Sequence, residues 1–148
     1  MRMTTFSPIG TIHTQFTDPL AMPVQSAFAE KSMMAMAEIR DVFIDGLVGL
    51  EHFTHIILVY QFHQAKTPVL MQQTNWTDHE YGVFATRNAN RPYAIGISIV
   101  ELVKVDGNKI YFNHADMLDG SPLLDIKPFI PAFDHREEAG NGWLEKSI

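Results

Sequence analysis

The chain is organised around the stretch Gly82-Val83-Phe84-Ala85-Thr86-Arg87-Asn88-Ala89-Asn90-Arg91-Pro92-Tyr93-Ala94-Ile95-Gly96-Ile97-Ser98. A short apolar run at 83–85 and a β-branched run at 95–100 predict two strands with a loop between them. The proline in that loop lacks a backbone donor and has a fixed φ, so we expect a stiff loop. Arg87 and Arg91 in such a loop can bind a carboxylate or phosphate, because a guanidinium donates two parallel hydrogen bonds. Ordinary surface charges are the alternative interpretation.

Length and composition predict one domain with a hydrophobic core, since the chain has 148 residues and is 46% hydrophobic. The absence of cysteine excludes disulfides, thiolate metal sites and a cysteine nucleophile. We find no membrane-spanning apolar run and no signal-peptide core, and therefore expect a cytoplasmic protein without a membrane partner. The net charge of −6 disfavours a nucleic-acid partner, although residues 82–110 are locally positive. No DNA partner is expected.

The rest of the sequence predicts a mostly β fold, a small antiparallel β-barrel with minor helical segments. No Gly-x-Gly-x-x-Gly motif follows a predicted strand, so a Rossmann fold is not indicated. Asp106-Gly107-Asn108 between two β-rich runs predicts a hairpin. Further strands are predicted at 9–14, around Ile39, Val42 and Phe43, at 54–63, 98–105, 109–113 and 123–126, with a helix from Ser26 to Met36 and a loop from Lys66 to Glu80.

Two polar groups leave alternatives open. His52 and His55 are interpreted as structural rather than metal-binding, because side chains at this spacing on a strand point to opposite faces, and no metal site is predicted. Asp116 and Asp119 lie in a polar segment and can pair with an ammonium or sulfonium group. The alternative is a solvated turn, since Asp, Gly, Ser and Pro are ordinary turn residues.

The motifs of this chain resemble those of the TsaA-like (YaeB/VirR-like) family, which contains the TrmO-type tRNA N6-methyltransferases. The similarity covers nearly the whole chain. The chain has Tyr93-Ala94 where the family usually has Asn-Pro. The small extra carboxy-terminal domain of longer members is expected to be absent. The matching segments are 82–87, 90–92 and 95–98, together with 7–13, 23–25, 49–56, 62–64, 118–122 and 125–129.

We expect a single TsaA-like domain at 1–148, because the sequence has no repeat, low-complexity tract or linker, and we expect Trp143 to pack the tail from about 131 back onto it. The resemblance implies a homodimer. It implies a barrel that binds S-adenosylmethionine (SAM) without a Rossmann sheet. The implied activity is methylation of N6 of threonylcarbamoyladenosine at position 37 of tRNA, which makes tRNA the partner. A SAM-binding sensor or regulatory module, and a SAM-dependent methyltransferase of small molecules, are the alternatives.

The resemblance implies that Arg87 binds SAM. Arg91 lies four residues further on, in the outer part of the loop, and we expect it to reach RNA together with Asn90 and Lys104. A base that removes the proton from the acceptor nitrogen is expected among His63, His114 and Asp116. The implied SAM contacts are Pro23, Val24, Gln25, His63, Gln64, Arg87, Ile97, Asp116, Met117, Leu118, Asp119, Gly120 and Ser121.

Overall fold

The structure is a computed structural model that describes residues 5–23, 25 and 34–148. The elements are β1 (Gly10–His13), β2 (Ala35–Ile39), β3 (His55–Gln61), β4 (Met71–Gln73), β5 (Glu80–Gly82), β6 (Ile95–Asp106), β7 (Lys109–Asn113), β8 (Ser121–Pro128) and the short helix α1 (Pro131–Asp134). Within the described residues, six antiparallel strands close into a barrel in the order β1-β2-β7-β6-β3-β8, and β4 and β5 form a separate hairpin. The predicted mostly β, antiparallel barrel is therefore confirmed.

The barrel interior is filled by side chains that alternate along the strands. On β3, Ile56, Leu58 and Tyr60 are buried, whereas Ile57 and Val59 face outward and are half-buried. Strands β6 and β8 pair with the two edges of β3, so β3 lies in the middle of the packed sheet. Inward alternation of large aliphatic side chains is what closes a small barrel around a core.

The hairpin predicted at 106–108 is confirmed, because β6 and β7 pair antiparallel across a turn at Gly107 and Asn108. Gly107 has φ +59, a conformation that glycine adopts without strain. The strand predicted near the amino terminus is also present, as β1, and pairs with β2 and β8.

The predicted helix from Ser26 to Met36 is wrong at its carboxy-terminal end, because Ala35 and Met36 belong to β2. Residues 26–33 of that prediction lie outside the described residues. Ala35 and Ala37 are buried against the core, so the packing position outweighs the helix propensity of alanine. The strand predicted over Val42 and Phe43 is also wrong, because Asp41–Leu47 forms 3₁₀ turns.

Two further predictions in the loops are corrected. Val83–Ala85 is a 3₁₀ turn rather than a strand, and the strand β5 ends just before it. The loop predicted from Lys66 to Glu80 contains β4, which pairs with β5. The apolar side chain of Val83 is buried within this turn, so the hydrophobic pattern of the segment reflects packing rather than sheet pairing.

Candidate active site

A cleft of about 410 Å³ lies on the outer face of β6. Because side chains alternate on a strand, Ile97 and Ile99 point outward, and they remain 50% and 43% exposed. Ser98 between them is buried and its hydroxyl bonds inside the barrel. The floor of the cleft is therefore apolar, in contrast to its walls. The lining residues are Gln25, His55, Arg87, Ile97, Ser98, Ile99 and His114.

One end of the cleft is formed by Arg87 and Gln25. The Arg87 guanidinium Nη1 donates to the Gln25 Oε1 at 2.8 Å, across 62 positions of sequence. Arg87 is exposed, and it follows the 3₁₀ turn that ends at Ala85. An exposed guanidinium whose position is fixed by one neighbour keeps donors for an anionic ligand.

Arg91 holds the same loop together from within. Its Nη1 donates to the backbone oxygens of Thr86 at 2.8 Å and Asn88 at 3.2 Å. The Asn90 side-chain oxygen accepts from the backbone N–H of Lys66 at 2.9 Å. These bonds fix the backbone on both sides of Arg87, so the loop that presents this arginine is internally braced.

Histidines form two other parts of the wall. His114 directly follows β7 and has φ +66, a left-handed conformation that is uncommon for any residue with a Cβ. His55 begins β3, and its Nδ1 lies 2.9 Å from the Thr54 hydroxyl. Left-handed backbone conformations such as that of His114 concentrate at functional sites. With His55 and His114, the cleft contains two imidazoles.

A chain of buried hydrogen bonds runs inside the barrel, directly behind the cleft floor. The Tyr60 hydroxyl lies 2.9 Å from the Ser98 hydroxyl, which donates to the Asp116 Oδ1 at 2.5 Å. Burial raises the pKa of Tyr60 well above its ordinary value, and the nearby Asp116 charge raises this pKa further. Tyr60 is therefore a neutral donor, and the network fixes Asp116 beneath the cleft.

The segment 116–121 caps one end of the barrel rather than lining the cleft. Thr14 binds this segment at two points. The Thr14 hydroxyl donates to the Met117 backbone oxygen at 2.8 Å, and the Thr14 N–H donates to the Asp119 Oδ1 at 3.1 Å. Asp116 and Met117 are buried, so the interpretation of this stretch as a solvated turn is wrong there. Gly120 has φ +83 and lies beside the imidazole of His63.

Four of the predicted site residues line this cleft, and the other described ones lie outside its lining. Sequence reasoning missed His55, Ser98 and Ile99, although alternation along β3 and β6 would have placed His55 and Ile99 on the outer face. Val24 lies outside the described residues. The predicted site residues that line the cleft are Gln25, Arg87, Ile97 and His114. Asp116 lies beneath the cleft. The lining does not include Pro23, His63, Gln64, Met117, Leu118, Asp119, Gly120 or Ser121.

No three His, Cys, Asp or Glu side chains in the described part of the chain are grouped so that they could hold a metal ion. Of the residues predicted to bind RNA, Asn90 accepts from the backbone N–H of Lys66 outside the loop, and Arg91 donates within the loop. The Lys104 ammonium lies over the Tyr111 ring, 4.7 Å from its centroid, at the exposed β6–β7 hairpin.

No described helix is long and apolar enough to span a bilayer.

Residues 11–135 match the model of the tRNA-methyltransferase O N-terminal domain. The chain belongs to this family. The resemblance that the motifs at 82–98 indicate is thereby confirmed.

Named relatives indicate the chemistry of the family. A probable S-adenosyl-L-methionine-binding protein of Pyrococcus abyssi is 45% identical over 99% of this chain and 79% of its own length. A tRNA (adenine(37)-N6)-methyltransferase of Mus musculus is 33% identical over 86% of this chain, but over only 31% of its own length. The predicted cofactor, SAM, is the one named in the first of these relatives.

Solved structures show the same fold. A crystal structure of TrmO from Pseudomonas aeruginosa superposes with a TM-score of 0.81 at 35% identity, and covers 96% of this chain and 63% of the other. A second TrmO structure gives a TM-score of 0.82 at 36% identity, covering 95% and 64%. The chain thus spans less than two thirds of these structures, and nearly all of it adopts their fold.

Proposed function

We propose that this chain is a SAM-dependent methyltransferase that modifies N6 of adenosine 37 in tRNA, with threonylcarbamoyladenosine as the acceptor nucleoside. The observation that carries the proposal is the convergence of Gln25, Arg87, Ile97 and His114 in one cleft. These residues come from separate segments of the chain, and the family resemblance assigns the first three to the cofactor. The names of the relatives support both SAM and tRNA.

The residues of the cleft fit SAM chemically. The Arg87 guanidinium suits the carboxylate of the methionine part, because charge-assisted bonds to guanidinium are strong and directional. Ile97 and Ile99 offer an apolar surface to the adenine ring. A cleft of about 410 Å³ lies within the usual range for small-ligand sites.

SAM supplies an activated methyl group, so the protein has to orient the acceptor nitrogen and accept its proton. That nitrogen belongs to a urea-like group, and positioning and exclusion of water supply most of the rate. His114 is the base candidate in the wall of the cleft, whereas Asp116 is buried beneath it and His63 lies in an exposed turn. We therefore assign proton removal to His114.

For the RNA we propose contacts by Arg91, Asn90 and Lys104. Position 37 lies in a single-stranded loop, where a base can enter a protein cleft without the opening of a duplex. Lys104 is exposed at the β6–β7 hairpin. With a net charge of −6, the protein is expected to bind RNA through this limited surface, in the cytoplasm.

We also propose a homodimer. Phe84 and Tyr93 are 78% and 85% exposed, and Ile95 on the outer face of β6 is 42% exposed. Exposed apolar side chains on neighbouring segments are typical of interaction surfaces. Light scattering is expected to give twice the mass of the chain, and a monomer at working concentration would contradict this assignment.

A SAM-binding module without tRNA activity is the second candidate. It is favoured by the name of the Pyrococcus abyssi relative, which mentions binding only, and by the acidic net charge. A methyltransferase of small molecules is the third, because an acidic surface does not impede a small acceptor.

One experiment separates the proposal from the other two candidates. The protein is incubated with SAM and with tRNA from a strain that lacks the methyltransferase, and the tRNA nucleosides are analysed by mass. The proposal predicts that threonylcarbamoyladenosine gains one methyl group. SAM binding without this mass change would support the binding module or the small-molecule enzyme, and methyl transfer to added small acceptors would then distinguish these two.

A further inference from the structure

The carboxy-terminal segment 142–148 lies beyond residue 135, where the match to the family model ends. In the structure it contacts the hairpin of β4 and β5 and the turn that follows this hairpin. The Trp143 ring stacks on the Tyr81 ring, with centroids 4.5 Å apart and planes 13° from parallel. The contact is offset from the barrel core, so the barrel does not depend on it for closure.

The Trp143 indole makes one directed contact with the segment that leads to the cleft. Its Nε1–H donates to the backbone oxygen of Ala85 at 2.8 Å. Ala85 is the last residue of the 3₁₀ turn, two positions before Arg87. The indole therefore fixes the point where the loop that carries Arg87 begins.

A second bond ties the same segment to a different place. The Ser147 hydroxyl donates to the Trp76 backbone oxygen at 3.2 Å, between β4 and β5. This contact anchors the tail but does not touch the loop at 83–91. In both bonds a side chain of the tail donates to a backbone oxygen. Only the Trp143 bond is expected to affect the cleft.

The position of Arg87 depends on its backbone, because its side chain is exposed. Arg91 braces the loop after Ala85 by donating to Thr86 and Asn88. Trp143 braces it before Thr86. Without the indole contact, Arg91 still holds Thr86 and Asn88, but Ala85 loses its bond to the tail. The loop is then less well fixed where it begins, and the contact of Arg87 with Gln25 is less well defined.

We propose that Trp143 is a positioning residue for the SAM site, and that it acts by holding the Ala85 carbonyl so that Arg87 points into the cleft. This inference rests on the proposed function, since Arg87 has to contact SAM for its position to matter. A carboxy-terminal segment outside the matched domain thereby supports the cofactor site of that domain.

The test measures SAM affinity by calorimetry in four proteins. Trp143→Phe keeps an aromatic ring on Tyr81 and removes the donor, and it is expected to weaken SAM binding about two- to tenfold. Ser147→Ala, the matched control, is expected to retain wild-type affinity. Trp143→His, whose ring N–H can again donate toward Ala85, is expected to recover part of the loss.

A double-mutant cycle shows whether Trp143 acts through Arg87. Trp143→Phe is made in the wild-type chain and in Arg87→Ala, and the two losses of SAM affinity are compared. Positioning predicts a loss in the wild-type chain and almost none in Arg87→Ala. Equal losses in both backgrounds, or unchanged affinity in Trp143→Phe, would overturn the proposal.

Hydrogen exchange of the ligand-free protein separates this inference from the proposed function. The amides of Thr86 and Asn88 are expected to exchange faster in Trp143→Phe than in Ser147→Ala, whereas those of β3 remain unchanged. If Thr86 and Asn88 exchange alike in both variants, the positioning inference is wrong. If Arg87→Ala itself leaves SAM affinity unchanged, the proposed cofactor site is wrong.

Discussion

His114 combines a left-handed backbone conformation with a place in the wall of the cleft. Asparagine tolerates this conformation better than most residues do, so His114→Asn removes the imidazole with little backbone strain. If His114 takes the proton, kcat should fall about 10²- to 10⁴-fold while SAM affinity stays near that of the wild type. Single-turnover methylation of tRNA and SAM calorimetry measure the two quantities.

His63→Asn is the matched control for this prediction, because His63 lies in an exposed turn beside Gly120. It is expected to retain most of kcat. A large loss of kcat in His63→Asn together with an active His114→Asn would transfer the role of base to His63.

Tyr60 is expected to make stability depend on alkaline pH. Burial and the Asp116 charge raise the pKa of Tyr60, so the folded protein keeps the phenol proton at a pH where the unfolded chain loses it. The free energy of unfolding should therefore decrease as the pH rises above the ordinary tyrosine pKa of about 10. This contribution is fully present below that pH.

Urea unfolding between pH 8 and pH 11 measures this effect. Tyr60→Phe has no proton to lose there, so its stability should decline less steeply than that of the wild type. The difference in slope should approach about 1.4 kcal/mol per pH unit. Parallel curves for the two proteins would show that Tyr60 does not titrate differently on folding.

Strand β6 depends on the glycine at position 96. A Cβ at Gly96 would lie 2.7 Å from the Phe62 ring and 2.8 Å from the Tyr60 ring, and these two rings pack edge to face. Gly96→Ala should therefore displace an aromatic ring and lower the free energy of unfolding by about 1–3 kcal/mol. Denaturant unfolding measures the change.

Gly82→Ala is the control for Gly96→Ala. Gly82 has φ −60, and its Cβ would meet no atom within 4 Å. Its effect is expected to stay within about 0.5 kcal/mol. A neutral Gly96→Ala would mean that the two rings adjust freely and that glycine is not required there.

The strands could be predicted from sequence because burial imposes a period of two, as on β3 at Ile56, Leu58 and Tyr60. The 3₁₀ turns could not, because Val83 and Leu47 are buried without a sheet or helix period. Ala35 shows the third limit: its helix propensity is real, but a buried position in β2 decides its conformation.

The candidate site could be predicted where a residue's own chemistry suggested a ligand. Arg87 could be proposed to bind an anion because it is a guanidinium in a stiff loop, and it lines the cleft. Alternation could place His55 on the outer face of β3, but its position in the cleft depends on the pairing of β3 with β6. Arg91 was expected to reach RNA. In the structure its Nη1 donates to a backbone oxygen within the loop, and its contact with RNA stays a prediction.

At the level of the complete fold, the inward side chains of β6 help to close the barrel, and its outward side chains Ile97 and Ile99 line the cleft. Inward side chains of β6, such as Val100, are fully buried, whereas Ile97 on the opposite face remains half exposed. The same strand thus provides stability on one face and a candidate cofactor surface on the other. This division between the two faces of β6 links the fold to the proposed cofactor site.

Calorimetric titration of SAM into the wild-type chain, Arg87→Ala and Arg40→Ala tests this claim most directly. Arg40 is also an exposed arginine, and its guanidinium donates to Pro8 and lies over Phe43, away from the residues of the cleft. We expect the wild type to bind SAM, Arg87→Ala to bind about ten- to a hundredfold more weakly, and Arg40→Ala to bind with wild-type affinity. Full SAM affinity in Arg87→Ala would contradict the proposed cofactor site, because Arg87 would then make no contribution to cofactor binding.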